Sequence, residues 1–303
     1  MGRAIICIVL VSGCGSVQGQ RADAGVDTAA STTDAAPPRC NPAMPFAAPV
    51  PVTELNTLDS DESARLSPDE LTVYFSTNRA GTLGGYDIYT ATRATRDTPF
   101  GNIHAVAGVN TTAGQRGPVI TGDGLVLYGI IGAAPNYEIG RATRPTTSAK
   151  FSALTAITTL NGTANDTLSS LVPDESVVYF GSDRGGDGGL YSAVRMPGGD
   201  YRLPALIPGT LINTPDTEGD PVISPDQLTL FFSSNRVGGA GNSDIWMARR
   251  TSVATGFDAP VNLFSLNSTV VDAASWVSPD GCVIYLTRGA CCTYDIFMAQ
   301  RGS

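Results

Sequence analysis

A fivefold internal repeat constrains the fold of this chain more than any other feature. A turn containing Pro-Asp or Gly-Asp recurs at intervals of 54, 51, 52 and 54 residues. An asparagine stands 13 residues before each turn aspartate, an aromatic residue begins each unit, and an arginine ends it. Several markers at fixed offsets in five copies indicate a repeat architecture that fills residues 46–301.

The markers form four columns when the units are aligned. The turn aspartates are Asp69, Asp123, Asp174, Asp226 and Asp280. The asparagines are Asn56, Asn110, Asn161, Asn213 and Asn267. The opening aromatic residues are Phe46, Phe100, Phe151, Tyr201 and Phe257. The closing arginines are Arg93, Arg141, Arg195, Arg249 and Arg301.

Each unit has the residue pattern of short β-strands. The turn is followed by a run of β-branched and aromatic residues such as "LTVYFS" or "LTLFFSS", which predicts a strand buried on both faces. A Gly-rich loop and a second strand such as "YDIYTATR" come next, and two further candidate strands lie upstream of the turn. Four short strands in about 50 residues are typical of a propeller blade.

The best copies, "SPDELTVYFSTNR" and "SPDQLTLFFSSNR", resemble the PD40 (WD40-like) repeats of TolB-type periplasmic propellers. Unit two departs from the pattern with Thr121-Gly122-Asp123, and unit three has Asp183-Arg184 in place of Asn-Arg. The resemblance implies that the strand before each turn is innermost. It also implies that residues 46–56 form the outermost strand of the last blade. We therefore expect an all-β, five-bladed β-propeller of four-stranded blades, closed by the N-terminal strand.

The N-terminus predicts export and a lipid anchor. Arg3 precedes an apolar run, residues 4–11, that is too short to span a bilayer, and "VSGC" at its end resembles a bacterial lipobox ending at Cys14. An ordinary secretory signal with an incidental cysteine is the alternative. We expect a signal peptide over 1–13, a flexible tether over 14–45 rich in Ala, Thr, Ser, Asp and Pro, and the propeller over 46–303. The expected location is the cell envelope, as an outer-membrane lipoprotein facing the periplasm or the cell surface.

Composition excludes several classes of function. The formal net charge is −9 and Lys150 is the only lysine, so the chain has no electrostatic footprint for nucleic acid. His104 is the only histidine and falls in a predicted outer-strand segment, which argues against a Ser-His-Asp triad and leaves no pair of histidines for a metal. No phosphate-binding glycine motif is present. We expect no cofactor and no metal site.

Six cysteines are present, of which Cys7 falls in the signal and Cys14 would carry the lipid. The remaining four can pair in three ways in an oxidising compartment. With the strand order that the resemblance implies, Cys40 would precede the closing strand and Cys282 would begin the second strand of the same blade. Cys40–Cys282 would then join the two ends of the ring. Cys291 and Cys292 are adjacent and could form a vicinal bridge.

An acidic column stands eight residues before the turn aspartates. Its members are Asp61, Gln115, Asp166, Glu218 and Asp272. The position enters the innermost strand, so the column should ring the channel mouth, where a cation or a cationic ligand would relieve the repulsion. Turn capping by each carboxylate is the favoured alternative. Arg79, Arg184 and Arg236 lie in loops on the same face, and pairing with Asp87 or Asp244 is favoured over ligand binding for them.

The sequence therefore predicts a propeller that is not an enzyme. We expect it to bind or scaffold an unknown envelope protein, or a cell-wall or polysaccharide ligand, through its channel-mouth face. The alternative is a carbohydrate-active enzyme, a glycoside hydrolase that uses channel-mouth carboxylates. A near-symmetric ring argues against catalysis, because hydrolysis needs two carboxyl groups in different environments.

Overall fold

The computed structural model describes residues 39–303 except 187, 291 and 292. The described chain is all-β, and its twenty strands form five four-stranded antiparallel sheets arranged as a five-bladed β-propeller. The predicted fold is therefore confirmed. Among the described residues, no helix is long and apolar enough to cross a membrane.

The strands are short and follow one another in regular order. In chain order they are β1 (Val50–Pro51), β2 (Asp61–Leu66), β3 (Thr72–Thr77), β4 (Asp87–Thr92), β5 (Gly101–Ala105), β6 (Arg116–Ile120), β7 (Val126–Ala133), β8 (Asn136–Thr143), β9 (Thr155–Ala156), β10 (Asp166–Leu171), β11 (Val177–Ser182), β12 (Gly189–Val194), β13 (Ala205–Leu206), β14 (Glu218–Ile223), β15 (Thr229–Ser234), β16 (Asp244–Arg249), β17 (Val261–Asn262), β18 (Val271–Val277), β19 (Val283–Ala290) and β20 (Thr293–Gln300).

Each blade begins at the centre and ends at the rim. Blades 1 to 4 are β2–β5, β6–β9, β10–β13 and β14–β17, and blade 5 has the order β18-β19-β20-β1. The innermost strands β2, β6, β10, β14 and β18 each contact the next one, and β18 contacts β2. The five inner strands therefore surround a central channel.

The two chain ends meet in blade 5. Val50 and Pro51 of β1 pair with Met298 and Phe297 of β20, and Phe46 bridges to Arg301. The last blade takes its outer strand from the beginning of the propeller, as expected. This closure leaves no open sheet edge inside the ring.

Residues 39–45, which the sequence analysis assigned to the tether, contact blade 5 and its neighbour. Cys40 forms a disulfide with Cys282, which stands directly before β19. The Arg39 side chain donates hydrogen bonds to Glu70 and Asp280, and the Asn41 amide donates one to the Gly302 carbonyl. The predictions for Cys14, Cys291 and Cys292 lie outside the described residues.

The second strands form the core, because they are buried on both faces. In β3, for example, five of the six residues are buried, and Val73 and Phe75 have no exposed surface. Apolar side chains of neighbouring blades pack together in the same way around the ring, as Phe46 of the seam does against Phe231 of blade 4. The continuous apolar runs in the sequence are explained by this burial on two faces.

Candidate functional site

The acidic column enters the inner strands, but its side chains are buried and fully engaged. Asp61, Gln115, Asp166, Glu218 and Asp272 are at most 3% exposed. Each accepts a hydrogen bond from the backbone amide four residues earlier, such as Thr57 N to Asp61 Oδ2 at 2.7 Å and Ser268 N to Asp272 Oδ2 at 2.6 Å. Each side chain thus caps the turn that leads into its inner strand.

The four carboxylates of the column also form buried ion pairs. Asp61 pairs with Arg79 at 2.7 Å, Glu218 with Arg236 at 2.8 Å, and Asp272 with Arg288 at 2.6 Å. Asp166 pairs in the same way with Arg184. The predicted partners of these arginines, Asp87 and Asp244, instead accept amide hydrogen bonds within their own Gly-rich loops, such as Leu83 N to Asp87 at 2.8 Å. That expectation is corrected.

Gln115 breaks the column for a local reason. Its blade has no arginine at the matching position, where β7 continues through Ile131. Gln115 makes the same turn contact as the carboxylates, accepting from Thr111 N at 2.5 Å, and its amide donates to Thr111 Oγ1 at 2.7 Å. A neutral side chain is found where the cation is absent, so the charges of the column match their local partners. The column is not presented to the channel as a ring of free acids.

Charged side chains that break the repeat lie beside this column. Glu62 and Arg116 are each one residue after a column position, and Asp220 is two residues after another. Thr167 and Ala273 occupy the position of Glu62 in blades 3 and 5. Because successive side chains of a strand point to opposite faces, Glu62 and Arg116 face away from the buried ion pairs. Glu62, Arg116 and Asp220 are all partly exposed.

A β-bulge in every inner strand changes the direction in which these side chains point. The pairing register with the second strand shifts between Glu62 and Arg65 in blade 1, and between Gly219 and Val222 in blade 4. Ser63 and Asp220 lie in these bulges with φ values of 58° and 50°, which non-glycine residues rarely adopt. Bulges of this kind commonly re-aim side chains next to active sites.

The environment of Glu62 favours its protonated form. Burial raises the pKa of Glu62 to about 7, which Arg116 opposes and the negative charge of Asp220 reinforces. In the part of the chain that the structure describes, Glu62 accepts no hydrogen bond that would favour its carboxylate. Glu62 therefore holds a proton at a pH where most carboxyl groups have lost theirs.

Asp220 is also enclosed, but it has partners for its negative charge. Burial raises its pKa, while a hydrogen bond from Ser233 Oγ at 2.8 Å and the charge of Arg65 lower it. Asp220 and Glu62 are close enough for the negative charge of Asp220 to raise the pKa of Glu62. The two carboxyl groups thus have unequal environments.

Tyrosines and an arginine lie on the Glu62 side of this pair. The Arg116 guanidinium lies 4.2 Å from the centre of the Tyr86 ring and 5.3 Å from that of Tyr137. Burial raises the pKa of Tyr86, with a contribution from Glu62, and Tyr294 lies in the same electrostatic neighbourhood. Glu62, Arg116, Asp220, Tyr86 and Tyr137 are hereafter called the acid–tyrosine cluster. A few polar groups among aromatic rings are typical of a small-molecule site.

The repeat pattern does not reveal this cluster, because the members of the cluster do not recur from blade to blade. Asp61 and Glu62 are adjacent, and only the first belongs to a column of five similar residues. The signal that could have found the cluster is the opposite one, a charged residue at an inner-strand position that is uncharged in most other copies.

The one histidine, His104, is exposed on outer strand β5, where its Nδ1 lies 2.7 Å from the Asn102 carbonyl.

Comparisons with known proteins give similar structures but no family. No family model matches the sequence, and no curated protein matches it. TolB from Acinetobacter baumannii is similar over 82% of this chain with a TM-score of 0.52 and 17% identity, and the chain spans 57% of that protein. An endo-arabinase from Bacteroides thetaiotaomicron is similar over 84% of this chain and 96% of its own, with a TM-score of 0.56 and 14% identity.

The GH43_1 enzyme from Xanthomonas citri, solved in complex with xylotriose, is also similar, with a TM-score of 0.59 and 13% identity. The alignment covers 84% of this chain and 89% of that one. At such identities the similarity shows a likeness of fold alone. The likeness to TolB agrees with the resemblance drawn from the repeats.

One prediction is corrected by these comparisons. The sequence analysis predicted that the protein is not an enzyme, because its acidic column is nearly symmetric. The similar structures include an endo-arabinase and the GH43_1 enzyme, which point to an enzyme, so the prediction is wrong. The near-symmetric column consists of buried turn caps, and the carboxyl groups with unequal environments, Glu62 and Asp220, lie beside it.

Proposed function

We propose that the protein is a carbohydrate-active enzyme, a glycoside hydrolase, whose reaction takes place at the acid–tyrosine cluster. The observation that carries this proposal is the pair Glu62 and Asp220. They come from different blades, lie within electrostatic reach of each other, and have unequal surroundings. Glycoside hydrolysis in most such enzymes needs two carboxyl groups, one protonated and one ionised.

The roles follow from the environments. Glu62, with its pKa raised to about 7, donates a proton to the glycosidic oxygen as the bond to the leaving sugar breaks. Asp220, which accepts a hydrogen bond from Ser233 Oγ, is the second carboxyl group and takes the proton of the water that attacks the sugar carbon. Tyr86 and Tyr137 provide ring faces for the substrate, and Arg116 provides hydrogen-bond donors for its hydroxyl groups.

The first test is a screen of the purified propeller against arabinose- and xylose-containing oligosaccharides and their polymers. These are the first choice because similar structures include an endo-arabinase and an enzyme bound to xylotriose. Glu62→Gln and Asp220→Asn should each lower the hydrolysis rate by roughly 10²–10⁴-fold. The matched control is Asp59→Asn, an exposed carboxylate near the same turn, which should hydrolyse at the wild-type rate.

An absence of hydrolysis across that panel and across pectic and hexose polymers would contradict the proposal. Full activity in both Glu62→Gln and Asp220→Asn would contradict the assignment of residues. Activity lost in Asp59→Asn as well would show that the loss reflects folding and not chemistry. Far-ultraviolet circular dichroism of all three variants accompanies the assay.

We also propose that this activity is located in the cell envelope. The likeness to TolB and the predicted lipobox ending at Cys14 support this location, with an outer-membrane anchor and a polysaccharide ligand of the envelope. Detergent partitioning of wild type and Cys14→Ala tests the anchor. The wild type should enter the detergent phase and the variant should remain in the aqueous phase, and equal partitioning of the two would contradict the proposal.

A further inference from the structure

A separate cavity lies in the channel, toward the end where the inner strands finish. It has a volume of about 300 Å³ and is lined by residues from all five inner strands and the turns that follow them. We call this end of the channel the proline end, because the four turn prolines lie there: Pro68, Pro173, Pro225 and Pro279. These prolines are exposed, so the cavity opens to solvent between them.

Two polar side chains in the cavity wall have unpaired atoms. Arg65 is 6% exposed, and its Nε and Nη1 have no hydrogen-bond partner among the described residues. Ser275 is 3% exposed, and its Oγ is likewise unpaired within the described chain. Both residues line the cavity, which is otherwise mostly apolar. A buried guanidinium without a direct partner is costly, unless another group supplies the missing hydrogen bonds.

The charge of Arg65 is not balanced by contact with Asp220. Asp220 lies close enough to influence Arg65 electrostatically, yet no ion pair within 4.0 Å joins them in the described structure, and the Asp220 side chain accepts from Ser233. The equivalent residues in the other blades are Val119, Ser170, Val222 and Trp276. Arg65 is therefore not part of the repeating architecture, and its retention in an apolar wall needs another reason.

We propose that the proline end of the channel binds a small carboxylic acid with an apolar body. The carboxylate would accept hydrogen bonds from Arg65 and Ser275, and the apolar body would pack against Trp276 and the prolines. Charge-assisted hydrogen bonds of this kind are among the stronger ones. A singly charged ligand fits one arginine in an apolar pocket better than a dianion, because nothing else in the wall would offset a second charge.

This site does not depend on the proposed hydrolase activity. It lies toward the opposite end of the inner strands from Glu62, and its wall shares no residue with the acid–tyrosine cluster. The charge of Arg65 also acts on Asp220, so hydrolysis is tested with Glu62→Gln and Asp220→Asn and ligand binding with phenylacetate, and either proposal can fail without the other.

Intrinsic fluorescence gives a direct readout, because the chain has two tryptophans and Trp276 lines the cavity. Phenylacetate is the probe, phenylacetamide is its neutral counterpart, and inorganic phosphate tests for general anion binding. Phenylacetate should change the fluorescence saturably, and phenylacetamide should bind about tenfold more weakly or worse. No saturable change with phenylacetate, or tighter binding of phosphate, would overturn the proposal.

Arg65→Met removes the charge but keeps a long apolar side chain, and Arg202→Met is the control at an exposed arginine. Arg65→Met should weaken phenylacetate binding by about tenfold or more, whereas Arg202→Met should not change it. The melting temperature of Arg65→Met should equal or exceed that of wild type, because an unpaired buried charge is lost. Unchanged binding, or a marked fall in melting temperature, would show that Arg65 is structural.

Discussion

At the residue scale, the repeated side chains of this propeller form hydrogen bonds with the backbone around them. The column asparagines show this well. Asn161 accepts a hydrogen bond from Ile139 N at 2.8 Å and donates one to Ile139 O at 3.0 Å, and the same two contacts join Asn56 to Ile296 across the seam. Each asparagine ties the end of an outer segment to the third strand of its blade. A residue engaged in this way recurs because every blade needs it.

The ion pairs of the acidic column lead to a stability prediction. Asp61→Asn removes a carboxylate that is fully buried and leaves Arg79 without its partner at 2.7 Å. Breaking a buried pair from one side costs about 3–5 kcal/mol, so the variant should unfold at a clearly lower urea concentration. Asp59→Asn, two residues away and exposed, should match wild type. Equal urea midpoints for Asp61→Asn and wild type would contradict a structural role for the pair.

The raised pKa of Glu62 leads to a prediction about pH and stability. The folded state binds this proton more tightly than the unfolded chain, whose glutamate pKa is about 4.3. The stability that this adds is fully present below pH 4.3 and is lost as the pH rises to about 7. Across that window, the difference in unfolding free energy between wild type and Glu62→Gln should change by about 1–3 kcal/mol, in favour of the variant at higher pH. A difference that is constant from pH 4 to 8 would contradict the raised pKa.

At the scale of the strand, the bulge in each inner strand lies between the repeated, ion-paired positions and the positions that differ among blades. Column positions such as Asp61 precede the bulge and point to the buried ion pairs, whereas Ser63 and Asp220 lie in it. The bulged residues bond to neighbouring strands differently in each blade: Ser63 N donates to Thr287 Oγ1 at 2.9 Å, and Gly117 N donates to Ser76 Oγ at 2.8 Å. Local geometry can therefore differ among blades whose overall design is shared.

The hydrogen bonds of the column asparagine should contribute a similar unfolding free energy in every blade. Asn161→Ala removes two hydrogen bonds from the junction with β8 and should lower the unfolding free energy by about 1–3 kcal/mol. Asn161→Asp keeps the acceptor but loses the donor, so its loss should be smaller than that of the alanine variant, when compared at one pH in chemical denaturation. An alanine variant as stable as wild type would contradict the proposed role of this column.

The columns were visible in the sequence, because each marks a need that every blade shares. Offsets that recur five times predicted the blades and the second strands, and the resemblance to TolB-type repeats predicted the closing strand. Two closing arginines stack on aromatic residues of the column, Arg93 on Phe100 and Arg301 on Phe46. In two other units a nearby arginine stacks instead, Arg144 on Phe151 and Arg250 on Phe257. A sequence pattern cannot tell which of two nearby arginines stacks on the aromatic residue, because that depends on the strand register.

The acid–tyrosine cluster and the cavity could not be predicted in the same way. Glu62 and Asp220 are far apart in sequence and meet only because blades 1 and 4 face one channel. Arg65 is unremarkable in the stretch "DESARL" until the five inner strands are placed around it. Burial of these groups and the raised pKa of Glu62 are properties of the closed ring, not of any single repeat.

At the scale of the whole molecule, the ring depends on its seam. The disulfide Cys40–Cys282 joins residues 242 apart, so it links the two ends of the propeller beside the pairing of β1 with β20. Inner strands from all five blades line one cavity, and loss of the seam would loosen that wall. Stability and the shape of the channel wall are thus coupled through ring closure.

The seam gives a prediction at this scale. In a chain-entropy account, a loop of this length stabilises the folded state by about 4–6 kcal/mol, and often less in practice. The double variant Cys40→Ser with Cys282→Ser should lose stability within that range under non-reducing conditions. Dithiothreitol should destabilise wild type and leave the double variant unchanged. Equal stability of wild type and the double variant without reductant would contradict the role of the disulfide in the seam.

The most direct test compares two adjacent residues. Asp61 belongs to the repeated column and Glu62 does not, and the account assigns structure to the first and hydrolysis to the second. The measurement is the initial rate of glycoside hydrolysis per folded molecule, at a temperature where both variants are folded. Glu62→Gln should lose about 10²–10⁴-fold in rate, while Asp61→Asn should stay within a few fold of wild type. The reverse result, with rate lost in Asp61→Asn and kept in Glu62→Gln, would contradict the account.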